Sequence, residues 1–254
     1  MKNTRRLNYA ITMVILAISV ILWILLWFNP GNIMTVEHCA VTTLGPSEAS
    51  LEMLLEMNPV SNMMTGWMLM VFAMMLPKLI IPIQYIYERS FKRQRFKSAL
   101  LFILGYALIW GVVGFFMNVV ILGSNLILPN SFVPAVLVGV IAIIWQFSPI
   151  KQRFLNRGHD HGVLAAFGWA AHRDALAFGL KHGVWCVCSG WALMLFPMLL
   201  PQGHNPGMLV VAIIMVSEHM EHPQIPRWRF DMRLKLLRIF FAQTKIKLKI
   251  RQAL

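Results

Sequence analysis

The sequence predicts an all-α fold, a polytopic membrane bundle of about six helices with both termini cytoplasmic. Three observations predict it. Of the 254 residues 58% are hydrophobic and only 13% are charged, with a mean hydropathy of +0.64. That is more apolar surface than a soluble domain of this size can hide. The apolar residues fall in long continuous runs rather than in alternation, which selects helices over a closed barrel. The cations are segregated along the chain, as in a protein threaded through a bilayer.

The spans are expected at 8–29, 63–87, 98–122, 132–149, 178–200 and 204–222. With the N-terminus inside, Lys and Arg number three in 1–7, five in 88–97, five in 151–181 and nine in 223–254, and Lys78 is the only other. The external segments, 30–62 and 123–131, and the turn near 201–204 hold none. A net charge of +13 would by itself suggest nucleic acid. Its confinement to one side is accounted for by topology and anionic headgroups, which removes nucleic acid as a partner. The setting implied is a bacterial-type inner (plasma) membrane, crossed several times. Residues 1–222 form the six-helix domain and 223–254 a basic tail.

Taken in order, the first span follows Lys2, Arg5 and Arg6. It resembles a signal sequence but runs too long, so it reads as an uncleaved anchor. The external segment 30–62 ends in "SEASLEMLLEM" (47–57), where a Ser cap and an early Glu start a short amphipathic helix on the outer face. The second span is rich in methionine. It carries Pro77 and Pro82, which free carbonyls and bend a membrane helix, and Lys78, expected to reach the inner headgroups. The third and fourth spans are plain, the fourth leaving the membrane at Pro149 and Lys151. The loop 151–177 contains "GHDHG" and a stretch expected to lie along the inner surface. The fifth and sixth spans form a hairpin turning near Pro201–His204. The tail 227–254 alternates basic and apolar residues, suited to anionic lipid or a partner subunit.

The chemistry gathers in that hairpin. "GLKHGVWCVCSGW" (179–191) faces "SEHMEH" (217–222) at similar depth. His182 and Cys186 are four apart, as are Glu218 and His222, so each pair shares a helix face. These four are the expected metal ligands, with His219 and Cys188 beside them. Imidazole, thiol and carboxylate suit zinc, copper or iron without choosing among them. Met74 and Met75, in methionine stripes of the second span, add thioethers that favour Cu(I). The short clusters "EHC" (37–39) and "HDH" (159–161) are lesser ligand sources. The cysteines do not form a disulfide framework: Cys39 lies outside, and Cys186 and Cys188 point apart on one helix. No phosphate-binding glycine loop and no nucleophilic triad order is present.

"GWMLMVFAMMLP" (66–77), "GYALIW" (105–110), "WQFSPIK" (145–151) and "GLKHGVWC…WALM" (179–194), in this order, resemble the DUF2182 family of predicted metal-binding integral membrane proteins. The resemblance covers about 60–222 and emphasises Met74, Met75, His182, Gly183, Cys186, Trp191 and Glu218. It implies metal binding. The family often has a Cys-Cys pair before the tryptophan matching Trp191, where this chain has Ser189 and Gly190. Cysteines are also common after "SPIK", where Phe154 and Gly158 stand, so a His/Glu-dominated site is implied here.

The reading that follows is a membrane protein handling a transition metal, copper favoured and zinc or iron as alternatives. A second reading is an accessory subunit of a membrane complex, contacting partners through the 227–254 tail and the 47–57 helix. A third is a membrane metalloenzyme using the same residues, which would need an open coordination position.

Overall fold

The structure, a computed structural model, describes residues 2–28, 48–230 and 235–252. Among these the regular elements are helices, with no strand. They are α1 (Lys2–Phe28), α2 (Glu48–Met57), α3 (Val60–Met75), a 3₁₀ turn (Leu76–Leu79), α4 (Ile80–Arg89), α5 (Arg95–Ile127), α6 (Val133–Phe147), α7 (Pro149–Arg157), α8 (Gly168–Met198), α9 (His204–His219) and α10 (Lys235–Gln252). The expected surface helix at 47–57 is α2, although its Ser47 cap, like the "EHC" cluster, lies outside the described residues.

Side-chain bonds set the directions. Ser19 donates to the Ala73 carbonyl at 2.6 Å, and Gln84 donates to Thr12 Oγ1 at 2.9 Å, so α1 runs antiparallel to α3 and α4. Trp67 Nε1 donates to the Trp110 carbonyl at 3.0 Å across the antiparallel pair α3 and α5. Trp145 Nε1 donates to the Cys188 carbonyl at 3.2 Å, and α6 descends antiparallel to α8. Helices α5 and α8 are parallel and cross very closely. A Cβ on Gly179 would stand 2.1 Å from the Phe102 carbonyl oxygen, and one on Gly105 would stand 2.5 Å from that of Leu176. Only glycine permits that backbone approach.

Among the described residues, three stretches are long and apolar enough to cross a membrane: Arg5–Phe28, Val60–Arg89 and Arg95–Ile127. Val133–Phe147 with Pro149–Arg157 makes a fourth if the pair, bent by 68°, counts as one span. The bend sits where Ser148 caps α7, its Oγ accepting from the Lys151 amide at 3.1 Å, with Pro149 in the first turn. The expected fifth and sixth spans fall on α8 and α9, which do not meet the same measure of length and apolarity.

Two local expectations are corrected. The stretch before the fifth span does not lie apart along the surface; residues from Gly168 onward are the first turns of the continuous helix α8. Lys78 does not reach for headgroups. It is 4% exposed and points into the bundle. Pro77 has no N–H to give the Ala73 carbonyl, the chain tightens into the 3₁₀ turn, and Ser19 satisfies the freed carbonyl instead. The tightened turn carries Lys78 inward.

Candidate metal centre

Cys186 collects its neighbours from three directions. Met75, the last residue of α3, brings its Sδ to 3.9 Å from Cys186 Sγ. Lys78 on the 3₁₀ turn donates from Nζ to the same sulfur at 3.3 Å, and Tyr106 on α5 donates from its hydroxyl at 3.2 Å. All four residues are buried. The proline-induced turn sets Met75 and Lys78 on the side that meets α8.

One turn before Cys186, His182 is also buried, ringed by Phe102, Tyr106 and Phe178 at centroid distances of 5.8, 6.0 and 6.1 Å. It meets His219 of α9 edge-on at 6.1 Å. His219 stacks on His159 at 5.1 Å, and His159 is tied to the helix ends by ring nitrogens 2.9 Å from the Leu155 carbonyl oxygen and 3.0 Å from that of His219. Between these groups lies a cavity of about 10 Å³ bordered by Lys78, His182, Cys186, Ser189 and His219. That is roughly the space of a single water or ion. On its loop side His182 also borders a cavity of about 450 Å³, walled by Arg157, Asp160, Asp174, Lys181 and Trp185.

The other residues singled out by spacing go elsewhere. Glu218 is buried, but its Oε1 takes an ion pair from Lys151 Nζ at 2.8 Å and a hydrogen bond from Gln146 Nε2. It faces the α6–α7 bend rather than His182. His222 is exposed and off the helix, because α9 ends at His219. Pro223 disfavours helical backbone at the residue before it, so the i, i+4 relation to Glu218 is never formed. Cys188 is half-buried and free, on a different face of α8 from Cys186. Met74 is buried in the core. Among the described residues, no group of three or more His, Cys, Asp and Glu side chains is placed to hold a metal ion.

The pair that the fold does assemble is sulfur with sulfur. A separation of 3.9 Å is less than twice a thiolate–metal bond of about 2.3 Å, so one ion can touch both atoms. Thiol and thioether are soft donors and fit Cu(I). Lys78 and Tyr106 are participants that spacing did not identify, and His159 comes from a cluster read only as a lesser ligand source. A lysine between two prolines in an apolar helix was the available signal for the first. Tyr106 gave only a lone hydroxyl inside "GYALIW", and His159 sits in the short cluster "HDH".

The family model for PpoB2, described as copper chaperone, matches residues 64–229. No curated protein matches the chain, and no solved structure does.

Proposed function

This chain belongs to the PpoB2 copper chaperone family, and on that premise we propose that it is a multi-pass membrane protein that binds Cu(I) as cargo at Cys186 and Met75. His182, one turn before Cys186 on α8, borders the same cavity and is a further candidate donor. The carrying observation is the sulfur pair at 3.9 Å beside a cavity of one-ion size. Copper is favoured over zinc or iron because a thioether is a poor ligand for the harder ions.

The surrounding groups explain how an unloaded thiol is kept in hydrocarbon-like surroundings. Its sulfur accepts from Lys78 and Tyr106 and directs its own S–H toward Met75, so no polar atom of the side chain is left without a partner. Cu(I) binding at the sulfur would replace those contacts and release the thiol proton to solvent. The cavity of about 450 Å³ gives the approach, since it opens on the loop side and ends at His182. The membrane reading places that side in the cytoplasm, with six crossings and both termini there, in a bacterial-type inner membrane. The tail helix α10 is pinned to the end of α9: Leu236 N donates to Ser217 Oγ at 2.8 Å and Lys235 Nζ to the Met220 carbonyl at 2.6 Å. On this reading the tail lies at the bilayer surface, suited to anionic headgroups or a partner subunit.

The test is copper content of the full chain purified in mild detergent, with affinity measured against a coloured Cu(I) chelator. Wild type should hold a single copper ion, Cys186→Ser should lose it, and Met75→Leu should weaken it by roughly tenfold or more while keeping the fold, because Leu and Met are close in volume. Full copper stoichiometry in Cys186→Ser would overturn the site.

A further inference from the structure

The parallel helices α5 and α8 cross tightly at Gly105 and Gly179 and splay apart toward their N-termini. The splay leaves a groove of about 390 Å³, separate from the copper centre. Its walls are two stripes at helical spacing. Lys97, Leu100 and Leu101 come from α5, and Trp169, His172, Arg173 and Leu176 from α8. Leu100, Leu101 and Leu176 make its apolar part. The mouth carries two cations, Lys97 and Arg173, and an indole, Trp169, that is 80% exposed.

We propose that this groove is a binding site for one anionic phospholipid of the inner leaflet, with an acyl chain along Leu100, Leu101 and Leu176 and the phosphate at Lys97 and Arg173. The proposal requires the chain to lie in a bilayer and makes no use of the copper centre. Two features select this occupant. The cavity is amphipathic in the lipid's own order, hydrocarbon inside and positive charge at the rim. Both helices also present their N-terminal ends, where the backbone dipole favours an anion. Arg173 has one rival, Asp174, whose Oδ1 lies 3.3 Å away in a contact left largely exposed to solvent. Such a contact is weak enough for a phosphate to replace.

The experiment uses the full chain in mild detergent, stripped of lipid and titrated with phosphatidylglycerol or phosphatidylcholine, with bound lipid counted by native mass spectrometry. Wild type should retain a single phosphatidylglycerol in preference to phosphatidylcholine. Lys97→Gln/Arg173→Gln should weaken it by roughly tenfold, as expected for two surface cations. Its melting temperature should match that of the wild type, which shows that the variant is folded. Lys92→Gln/Arg93→Gln, an equal charge loss outside the groove, should retain phosphatidylglycerol. On the unaltered protein, phosphatidylglycerol brominated on its acyl chain should quench the part of the fluorescence that Trp169→Phe removes. Equal retention of the two lipids, wild-type affinity in the groove variant, equal loss in the control variant, or no quenching at Trp169 would each overturn the site.

Discussion

Glu218 and Met75 are both buried, yet the structure gives them opposite duties. Glu218 neutralises Lys151, whose side chain has no exposed surface. Glu218→Gln should therefore leave copper binding intact and cost stability, on the order of 3–5 kcal/mol, because a buried ammonium loses its counter-charge. Thermal unfolding of the detergent-solubilised protein reads the loss, and copper content reads the site. Replacing both partners, Lys151→Met with Glu218→Leu, should recover much of that stability, since an apolar pair of similar volume has no charge to bury. Copper lost from Glu218→Gln with an unchanged melting temperature would return Glu218 to the ligand set. Spacing along the sequence pointed to Glu218 as a ligand because helix periodicity shows which residues share a face, not which neighbour that face meets. The neighbour is the α6–α7 bend, and a bend of 68° at Ser148–Pro149 is set by three-dimensional packing.

At the level of elements, the α5–α8 crossing concentrates much of the bundle's specificity. Gly179→Ala would drive a methyl against the Phe102 carbonyl, where a Cβ has 2.1 Å of room, while Gly111→Ala meets nothing within 4 Å. The first should lower stability by about 1–3 kcal/mol. The second should be neutral or slightly stabilising, because alanine has the better helix propensity. Melting temperatures of the two variants side by side check this, and equal values would mean that the crossing is looser than described. Most of the helices were legible. Apolar runs marked α1, α3 with α4, α5, α6, α8 and α9, and Pro77 and Pro149 stand at breaks, whereas α7 and the first turns of α8 fall in what reads as the loop 151–177. The hairpin register was nearly legible too, since His182 meets His219, the residue next to the Glu218–His222 pair expected to face it. What could not be read was the end of α9. The expected pairing continued the helix through His222, whereas Pro223 ends it early and removes one ligand. Nor could the inward turn of Lys78 be read, because it depends on a tightened 3₁₀ segment whose freed carbonyl finds Ser19 on another helix.

At the scale of the whole molecule, α8 and α9 carry the fifth and sixth of the proposed crossings. Helix α9 has 16 residues, about 24 Å at 1.5 Å per residue. That falls short of a hydrocarbon core of about 30 Å. Its sequence is also interrupted near the loop side by Ser217, Glu218 and His219, all buried against other helices. A short helix can still cross when its polar end is covered by protein and the bilayer thins locally. The buried ion pair at Lys151 and the cap of α10 on Ser217 supply that cover. Helices α6 and α9 both run against α8, and α5 reverses the α3–α4 segment as α6 reverses α5, an alternation compatible with the proposed crossing. The prediction is therefore that Gln202, in the α8–α9 turn, faces the side opposite to Asp160. In a background of Cys39→Ser and Cys188→Ser, with Cys186 buried, a membrane-impermeant maleimide added to intact cells should label Gln202→Cys and Ser131→Cys. It should label Asp160→Cys and Gln94→Cys only after the membrane is opened. If Gln202→Cys and Asp160→Cys respond together, the hairpin is re-entrant and the copper centre is approached from the same face at both ends.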